Sequence, residues 1–311
     1  MIQLPLLSDE NKPRNLFIMG ETLIDQVIDD DHKEHRLLGG SPCNIAVNCT
    51  QLGLKPTLLT AVSTDSLGQE ILAKLQVYDV DTHLVQKVSN TQSRVRMNQS
   101  ATTPVPEFFR GSDYNIVLNQ TVFEALDQSK IFHFSYWPLT REPSLSSVKT
   151  LLKRARRNRT LIAFDPNIHE ALIHPESISR EELFDLLSNV DILKPSLDDA
   201  ERLFGTMSSP ETYLTAFESF DIPLIMMTLG KQGVWVSHHK VRKLYPSLSA
   251  AVVDTTGAGD AFWSGFYCGL THQKSLDDSI ALAQRLSAEV LQSIGALVTL
   301  PPCDAIFERK D

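Results

Sequence analysis

Short β-branched or apolar runs alternate along most of this chain with stretches of helical spacing, and that alternation leaves few folds open. The runs are Leu16–Met19, Thr57–Val62, Ile131–Phe134, Leu161–Phe164, Asp191–Leu193 and Leu224–Met227. Between them apolar residues recur every three or four positions, as in Leu145, Val148, Leu152 and Ala155, or Leu276, Ile280, Ala283, Leu286 and Val290. Each such stripe predicts a helix packing one face on a sheet. Strand–helix alternation of this kind predicts an α/β fold, a central mostly parallel sheet flanked by helices.

Two segments break the pattern. Residues 21–38 and 92–116 lack helical periodicity, contain Arg94-Val-Arg-Met97 and Glu107-Phe-Phe-Arg110, and include Pro104 and Pro106. They read as antiparallel strands outside the main sheet. Both are flanked by main-sheet elements, so a small β lid built from two insertions into one domain of residues 1–311 is the economical arrangement.

Composition narrows the function. The 311 residues carry 29 basic and 38 acidic side chains, a net charge of −9, which argues against nucleic acid or anionic membrane as a partner and for small-molecule chemistry. The start of the chain lacks a basic region followed by an apolar stretch, and no run is long enough to span a membrane, so a cytoplasmic location is expected. Cys43, Cys49, Cys268 and Cys303 have no metal-ligand spacing and read as small buried side chains in a reducing compartment. The basic run Lys153–Arg159 ends an amphipathic helix, where cations oppose the negative end of the dipole.

The chemistry concentrates in Ala251-Val-Val-Asp-Thr-Thr-Gly-Ala-Gly-Asp-Ala-Phe262. An apolar strand end runs through two glycines into a helix, so backbone N–H groups from Gly257 to Asp260 have no intrahelical partner and form a pocket for phosphate oxygens. Asp260 would repel a phosphate bound for its own sake, but fits a base taking a proton from an attacking hydroxyl. A dinucleotide loop is disfavoured because Phe262 stands where a third glycine is needed. An ordinary N-cap from Asp254 or Thr256 would not need two glycines and a second acid in one turn. Leu38-Gly-Gly-Ser-Pro-Cys-Asn44 is a second glycine-opened helix start, with Pro42 in its first turn and Gly53 beyond its end. There Asn44 can both donate to and accept from sugar hydroxyls. Gly230-Lys231-Gln232 lacks the rest of a Walker A motif.

Gly39-Gly40-x-x-x-Asn44-x-Ala46 with Leu52-Gly53, together with Asp254-Thr-Thr-Gly-Ala-Gly-Asp260, resembles the two signatures of the ribokinase-like, PfkB-type carbohydrate kinases, fructokinases most closely. The resemblance covers nearly the whole chain. It implies a ribokinase-like fold with a β lid and an ATP-dependent kinase that phosphorylates a primary hydroxyl of a small sugar, fructose first, with 2-keto-3-deoxygluconate as rival. Ribose, a nucleoside or a sugar phosphate are further acceptors of the same class. Asp260 matches the family's base, and the amides of Gly257, Ala258 and Gly259 match its anion hole. Asp25, Gly39, Gly40, Asn44 and the lid residue Arg110 match sugar-binding positions. Lys194, Thr228, Gly230 and Gly233 match the nucleotide side. Asp254 and Thr256 match a monovalent-cation (K⁺) site, and Asp199 an indirect Mg²⁺ position. A homodimer through exposed lid strands is also implied. Three departures stand out: Ser196 replaces an asparagine in the family's Asn-x-x-Glu pattern, which here ends in Asp199, His169 replaces a usual arginine, and the lid between Arg96 and Asp113 matches the family loosely. The first two also admit a sugar-binding sensor without turnover.

Overall fold

All six apolar runs become strands of one sheet in the computed structural model, which describes residues 12–29, 31–98, 106–248, 252–293 and 295–308. Pro104 and Ala251 of the segments singled out above lie outside the described residues. In chain order the strands are β1 (Arg14–Met19), β2 (Leu23–Ile28), β3 (Glu34–Gly39), β4 (Thr57–Ser63), β5 (Val85–Val88), β6 (Arg94–Asn98), β7 (Glu107–Phe109), β8 (Ser129–Ser135), β9 (Leu161–Asp165), β10 (Ile192–Leu193), β11 (Leu224–Thr228), β12 (Val234–His238) and β13 (Val241–Tyr245). Nine of them form the main sheet in the order β13-β12-β11-β10-β9-β8-β1-β4-β5. Its pairings are parallel except for the hairpin steps β11–β12 and β12–β13.

Side chains of a strand alternate between faces, and β1 shows what that does here. Leu16 and Ile18 enter one buried cluster with Phe266 and Ile280, while Phe17 and Met19 enter another with Phe132 and Leu151. The sheet is therefore covered on both faces, which is why its central strands read as continuous apolar runs. Burying a side chain of this size stabilises by about 1.5–3 kcal/mol. The edge strands β5 and β13 lack such runs, and the sequence did not reveal them; the hairpin strand β12 carries the short run Val234-Trp235-Val236, which the alternation left unassigned. β13 exposes four of its five residues, as edge strands commonly do.

The remaining four strands make a separate sheet, β3-β2-β6-β7, drawn from the two segments that broke the alternation. Here β2–β3 and β6–β7 are antiparallel, and β2–β6 is parallel. Leu23 and Asp25 point to one face of β2, and Val95 and Phe108 pair onto that face. Leu23, Val95 and Phe108 pack there against Trp137 and Leu172 of the main body. Cys43 and Cys49 are free and buried, as expected, but Cys268 and Cys303 are joined across 35 residues with Cα atoms 6.2 Å apart. Spacing along the chain could not show this, because the helices Ala258–Thr271 and Leu276–Val290 fold back on each other between the two. Among the described residues no helix is long and apolar enough to cross a membrane.

The second sheet is fastened to the body at Asp113, which is fully buried. Its carboxylate accepts from Gly111 N (3.0 Å), Trp137 Nε1 (2.6 Å), Arg110 Nε (2.6 Å) and the Ser93 hydroxyl. Arg110 also donates to Thr140 Oγ1 at 3.0 Å and lies over the Trp137 ring at 4.8 Å. Removing the carboxylate leaves a buried guanidinium unpaired, so Asp113→Ala should lower unfolding stability by about 3–5 kcal/mol in a denaturant titration. A loss below about 1 kcal/mol would show that Asp113 is not the fastening point.

Candidate active site

Two helices begin on glycines and point their first turns at each other. The helix Ser41–Gln51 starts after Gly40, whose φ is 98°, and an added Cβ there would lie 2.5 Å from Glu21 O. The helix Ala258–Thr271 starts after Gly257 at φ 77°, where an added Cβ would lie 2.4 Å from Ala296 Cα. Only glycine tolerates both the left-handed backbone and the close approach. Neither N-cap glycine can cap its helix with a side chain; Ser41 N is taken by Glu21 Oε1 at 3.1 Å and Ala258 N by Thr255 O at 3.4 Å, while the positive end of each helix dipole faces the space in front.

Asp260 sits in the first turn of the second helix, buried. Its Oδ1 accepts from Ser41 Oγ at 2.6 Å and its Oδ2 from Asn44 Nδ2 at 2.9 Å, both from the facing helix. Burial pushes its pKa up to about 6, against the lowering effect of these two donors. Asn44 Oδ1 is buried without a partner, leaving an acceptor at the same place. Two more carboxyls stand nearby. Asp25 on β2 lies against Gly39, where an added Cβ would be 2.2 Å from Asp25 Oδ2, and burial with Asp260 as neighbour pushes it up to about 7. Glu21, just past β1, accepts from Ser41 N (3.1 Å) and Ser135 Oγ (2.9 Å), and burial pushes it up to about 8. Three acids with raised proton affinity around one helix start are a recognised mark of a chemical site.

On the other side of Asp260 opens a cavity of about 770 Å³. Gly257, Ala258, Gly259, Lys194, Thr228, Gly230 and Gly233 all line it, as does Asp199. Lys194 is buried, with Nζ 3.2 Å from Asp165 Oδ2, and an added Cβ on Gly259 would lie 3.4 Å from that same Nζ. Trp263 Nε1 donates to Asp165 Oδ2 at 2.8 Å. Burial raises the Asp165 pKa although Lys194 opposes it. A cation beside a glycine-opened helix N-terminus suits a polyphosphate. Gly233, at φ 103°, lets Tyr245 O approach to 2.0 Å of an added Cβ, so the turn after β11 stays thin.

The other residues singled out from sequence are placed as follows. Asp199 accepts from Ser196 N (2.9 Å), Ser196 Oγ (2.6 Å) and Ile168 N (2.7 Å), a reciprocal capping box that opens the helix Leu197–Phe204. Asp254 Oδ1 accepts from Thr256 N and Oγ1, and Oδ2 from Gly295 N at 2.9 Å, which holds the 295 turn against Gly257. Arg110 is committed to Asp113 and Thr140. His169 packs against Phe108 at a tilt, ring centres 4.5 Å apart and planes 53° from parallel, and burial lowers its pKa. Sequence reasoning gave no role to Glu21, Ser41, Asp165, Trp263 or Asp113, since each becomes part of a site only through partners distant in the chain.

The pfkB family carbohydrate kinase model matches residues 14–303. The chain belongs to this family. It is thus an ATP-dependent carbohydrate kinase with a ribokinase-like fold, as the two signatures implied. It is 38% identical over 308 residues to an ATP-dependent 6-phosphofructokinase of Thermoanaerobacterium thermosaccharolyticum, covering 97% of this chain and 95% of that protein. The solved fructokinase of Halothermothrix orenii is 28% identical with a TM-score of 0.78, covering 91% of this chain and 99% of that one. A Vibrio cholerae fructokinase double mutant, solved with fructose, ADP and a potassium ion, is 23% identical with a TM-score of 0.82, covering 96% and 98%.

The raised Asp260 pKa has a direct kinetic consequence. With Asp260 as the base proposed below, catalysis needs its ionised form, so kcat/KM should rise with pH through about 6 and level off above it. Ser41→Ala removes a donor that lowers this pKa, so the acid limb should move to higher pH. A limb that stays in place, or moves down, would separate the profile from Asp260.

Proposed function

We propose that this kinase transfers the γ-phosphoryl group of ATP to a primary hydroxyl of a ketohexose in the cytoplasm, with Asp260 as the base. The observation that carries the reading is a buried carboxylate of raised proton affinity in the first turn of a glycine-opened helix, at the wall of a cavity of about 770 Å³ and hydrogen-bonded to Ser41 and Asn44 of the facing helix. Asp260 takes the hydroxyl proton as the oxygen attacks phosphorus in line. The amides of Gly257, Ala258 and Gly259, with Lys194, hold the charge that develops on the transferred group. Thr228, Gly230 and Gly233 border the nucleotide. Asp25, Gly39, Gly40 and Asn44 surround the acceptor, beneath the second sheet acting as a lid, whose Val95 and Phe108 face Trp137.

The cavity offers Asp165, Asp198 and Asp199 as oxygen donors, the ligand class that suits Mg²⁺. Asp199 is already occupied by Ser196 and Ile168, so its part is to act through water. Bound Mg²⁺ would neutralise phosphate charge. Asp254 gives both oxygens to its own loop, so K⁺ there would rest mainly on backbone carbonyls of the 295 turn, with Asp254 and Thr256 as neighbours. The exposed edges of β3 and β7 are the surfaces through which two copies would pair.

For the acceptor, fructose is the first reading. It agrees with an Arg110 already neutralised by Asp113 and a His169 kept neutral by burial, which leave little cationic surface for an anionic sugar. The same argument counts against 2-keto-3-deoxygluconate, whose carboxylate calls for a cation. The 38% identical relative favours a second reading, fructose 6-phosphate. Arg141 supports it, because it lies 5.3 Å from the Tyr114 ring that Arg110 also approaches, and its buried Nε has no partner.

Incubation with ATP, Mg²⁺ and a sugar panel, read by ADP release and phosphate-ester formation, decides between them. Fructose should give the highest kcat/KM. A preference of 10-fold or more for fructose 6-phosphate would establish the second reading, and no ester from any sugar would refute the proposal. Asp260→Asn should keep the fold and lower kcat by at least ~100-fold. Near-normal turnover in that variant would remove Asp260 as the base.

A further inference from the structure

The helix that begins at the catalytic turn ends at a second cluster of chemically capable side chains. Cys268 is in its last turn, His272 is its C-cap, and Cys303 opens the helix Cys303–Glu308. Two sulfurs and one imidazole nitrogen lie within 4.8 Å of one another. Cys268 and Cys303 are buried, while the His272 side chain is 33% and that of Asp304 85% exposed, which leaves an entry path from solvent. His272 Nδ1 is 2.8 Å from Cys268 O and must donate its proton there, so the lone pair resides on Nε2. Asp304 Oδ1 is 3.7 Å from that Nε2. Phe307 packs against the ring with centres 5.4 Å apart and holds its orientation.

A disulfide at this place does not persist in the reducing cytoplasm, and this step rests on the location proposed above. We infer that the reduced cluster is a binding site for a zinc-class ion, held by the thiolates of Cys268 and Cys303 and by His272, with Asp304 at the fourth position. A cellular dithiol reduces the bridge by thiol–disulfide exchange. Two electrons pass to the two sulfurs, and the dithiol becomes a disulfide in turn. Two thiol protons leave when the ion binds. Around one tetrahedral zinc two sulfurs stand about 3.8 Å apart, a sulfur and a nitrogen about 3.5 Å, and a nitrogen and an oxygen about 3.3 Å, given the usual bond lengths. The His272–Asp304 separation of 3.7 Å closes to that spacing with a small turn of the exposed Asp304 side chain, and the sulfurs reach theirs by moving apart on reduction.

Thiolate ligands select zinc over the Mg²⁺ used with ATP, so the two ions would not compete. Cys303 N also donates to Leu52 O at 2.9 Å. The ion would therefore fasten together the far ends of the two helices whose near ends form the catalytic turn.

The test uses the full chain, reduced and kept free of oxygen, without nucleotide. Elemental analysis after zinc loading and gel filtration should give one zinc per chain, and the Co²⁺ form should show thiolate-to-cobalt charge-transfer absorption. Cys268→Ser and Cys303→Ser should each abolish uptake, and His272→Ala should weaken it at least ~10-fold. A Cys43→Ser/Cys49→Ser variant should bind as the parent does. Circular dichroism checks that each variant is folded; should a cysteine variant fail to fold, the exposed His272→Ala and the cobalt spectrum of the parent carry the test. Three results would each overturn the inference: no uptake by the reduced, folded parent, uptake unchanged by His272→Ala or Cys303→Ser, or a bridge that excess dithiol does not open.

Discussion

A carboxylate buried between two helix N-termini is the constraint on which the rest of this structure depends. Asp260 is taken out of water by its own helix and then given hydrogen bonds by Ser41 and Asn44, 219 and 216 residues away in the chain. Burial alone would favour the neutral acid, and the two donors restore part of the charged form. The balance leaves a pKa of about 6, well above the ordinary carboxylate value and suited to a group that exchanges protons near neutral pH. Gly40 and Gly257 let each helix start lie this close to its surroundings, because a side chain would meet the Glu21 backbone at Gly40 and Ala296 at Gly257.

The parallel sheet supplies the remaining groups through its direction. Glu21 follows β1, Asp165 ends β9, Lys194 follows β10 and Thr228 ends β11, so the carboxyl ends of four parallel strands deliver four polar groups to one edge. This is the general location of ligand sites in open α/β sheets. The second sheet stands over that edge with Asp25, Val95 and Phe108 on its inner face. Asp113 holds it there through bonds to a backbone amide, a hydroxyl, an indole and a guanidinium.

Two of the departures from the family pattern have structural explanations. Ser196 supplies a helix cap, and its reciprocal bond with Asp199 keeps that acid at the cavity wall. A hydroxyl is sufficient for that task, whereas an amide would be needed only to reach farther into the cavity. His169 has become an aromatic wall packed at a tilt against Phe108, and its lowered proton affinity removes the cation that an arginine would have provided.

Much of this was legible before any coordinates. The six strand runs, the helical stripes and the two non-helical insertions announced the layers of the fold, because periodicity reflects which face of a local element meets the core. The glycine-rich helix start at Gly257–Asp260 was equally plain, since a glycine-opened helix end is a local property. The edge strands were hidden because half-covered backbone does not demand apolar runs, and the proximity of Cys268, His272 and Cys303 was hidden by the helical hairpin between them. What the sequence determined by itself was the set of elements and the chemical type of the groups they carry. Tertiary structure alone decided which carboxyls retain their protons, which arginine is neutralised and which cysteines meet. Those outcomes depend on burial and on partners brought together from distant parts of the chain, and local patterns carry no record of either.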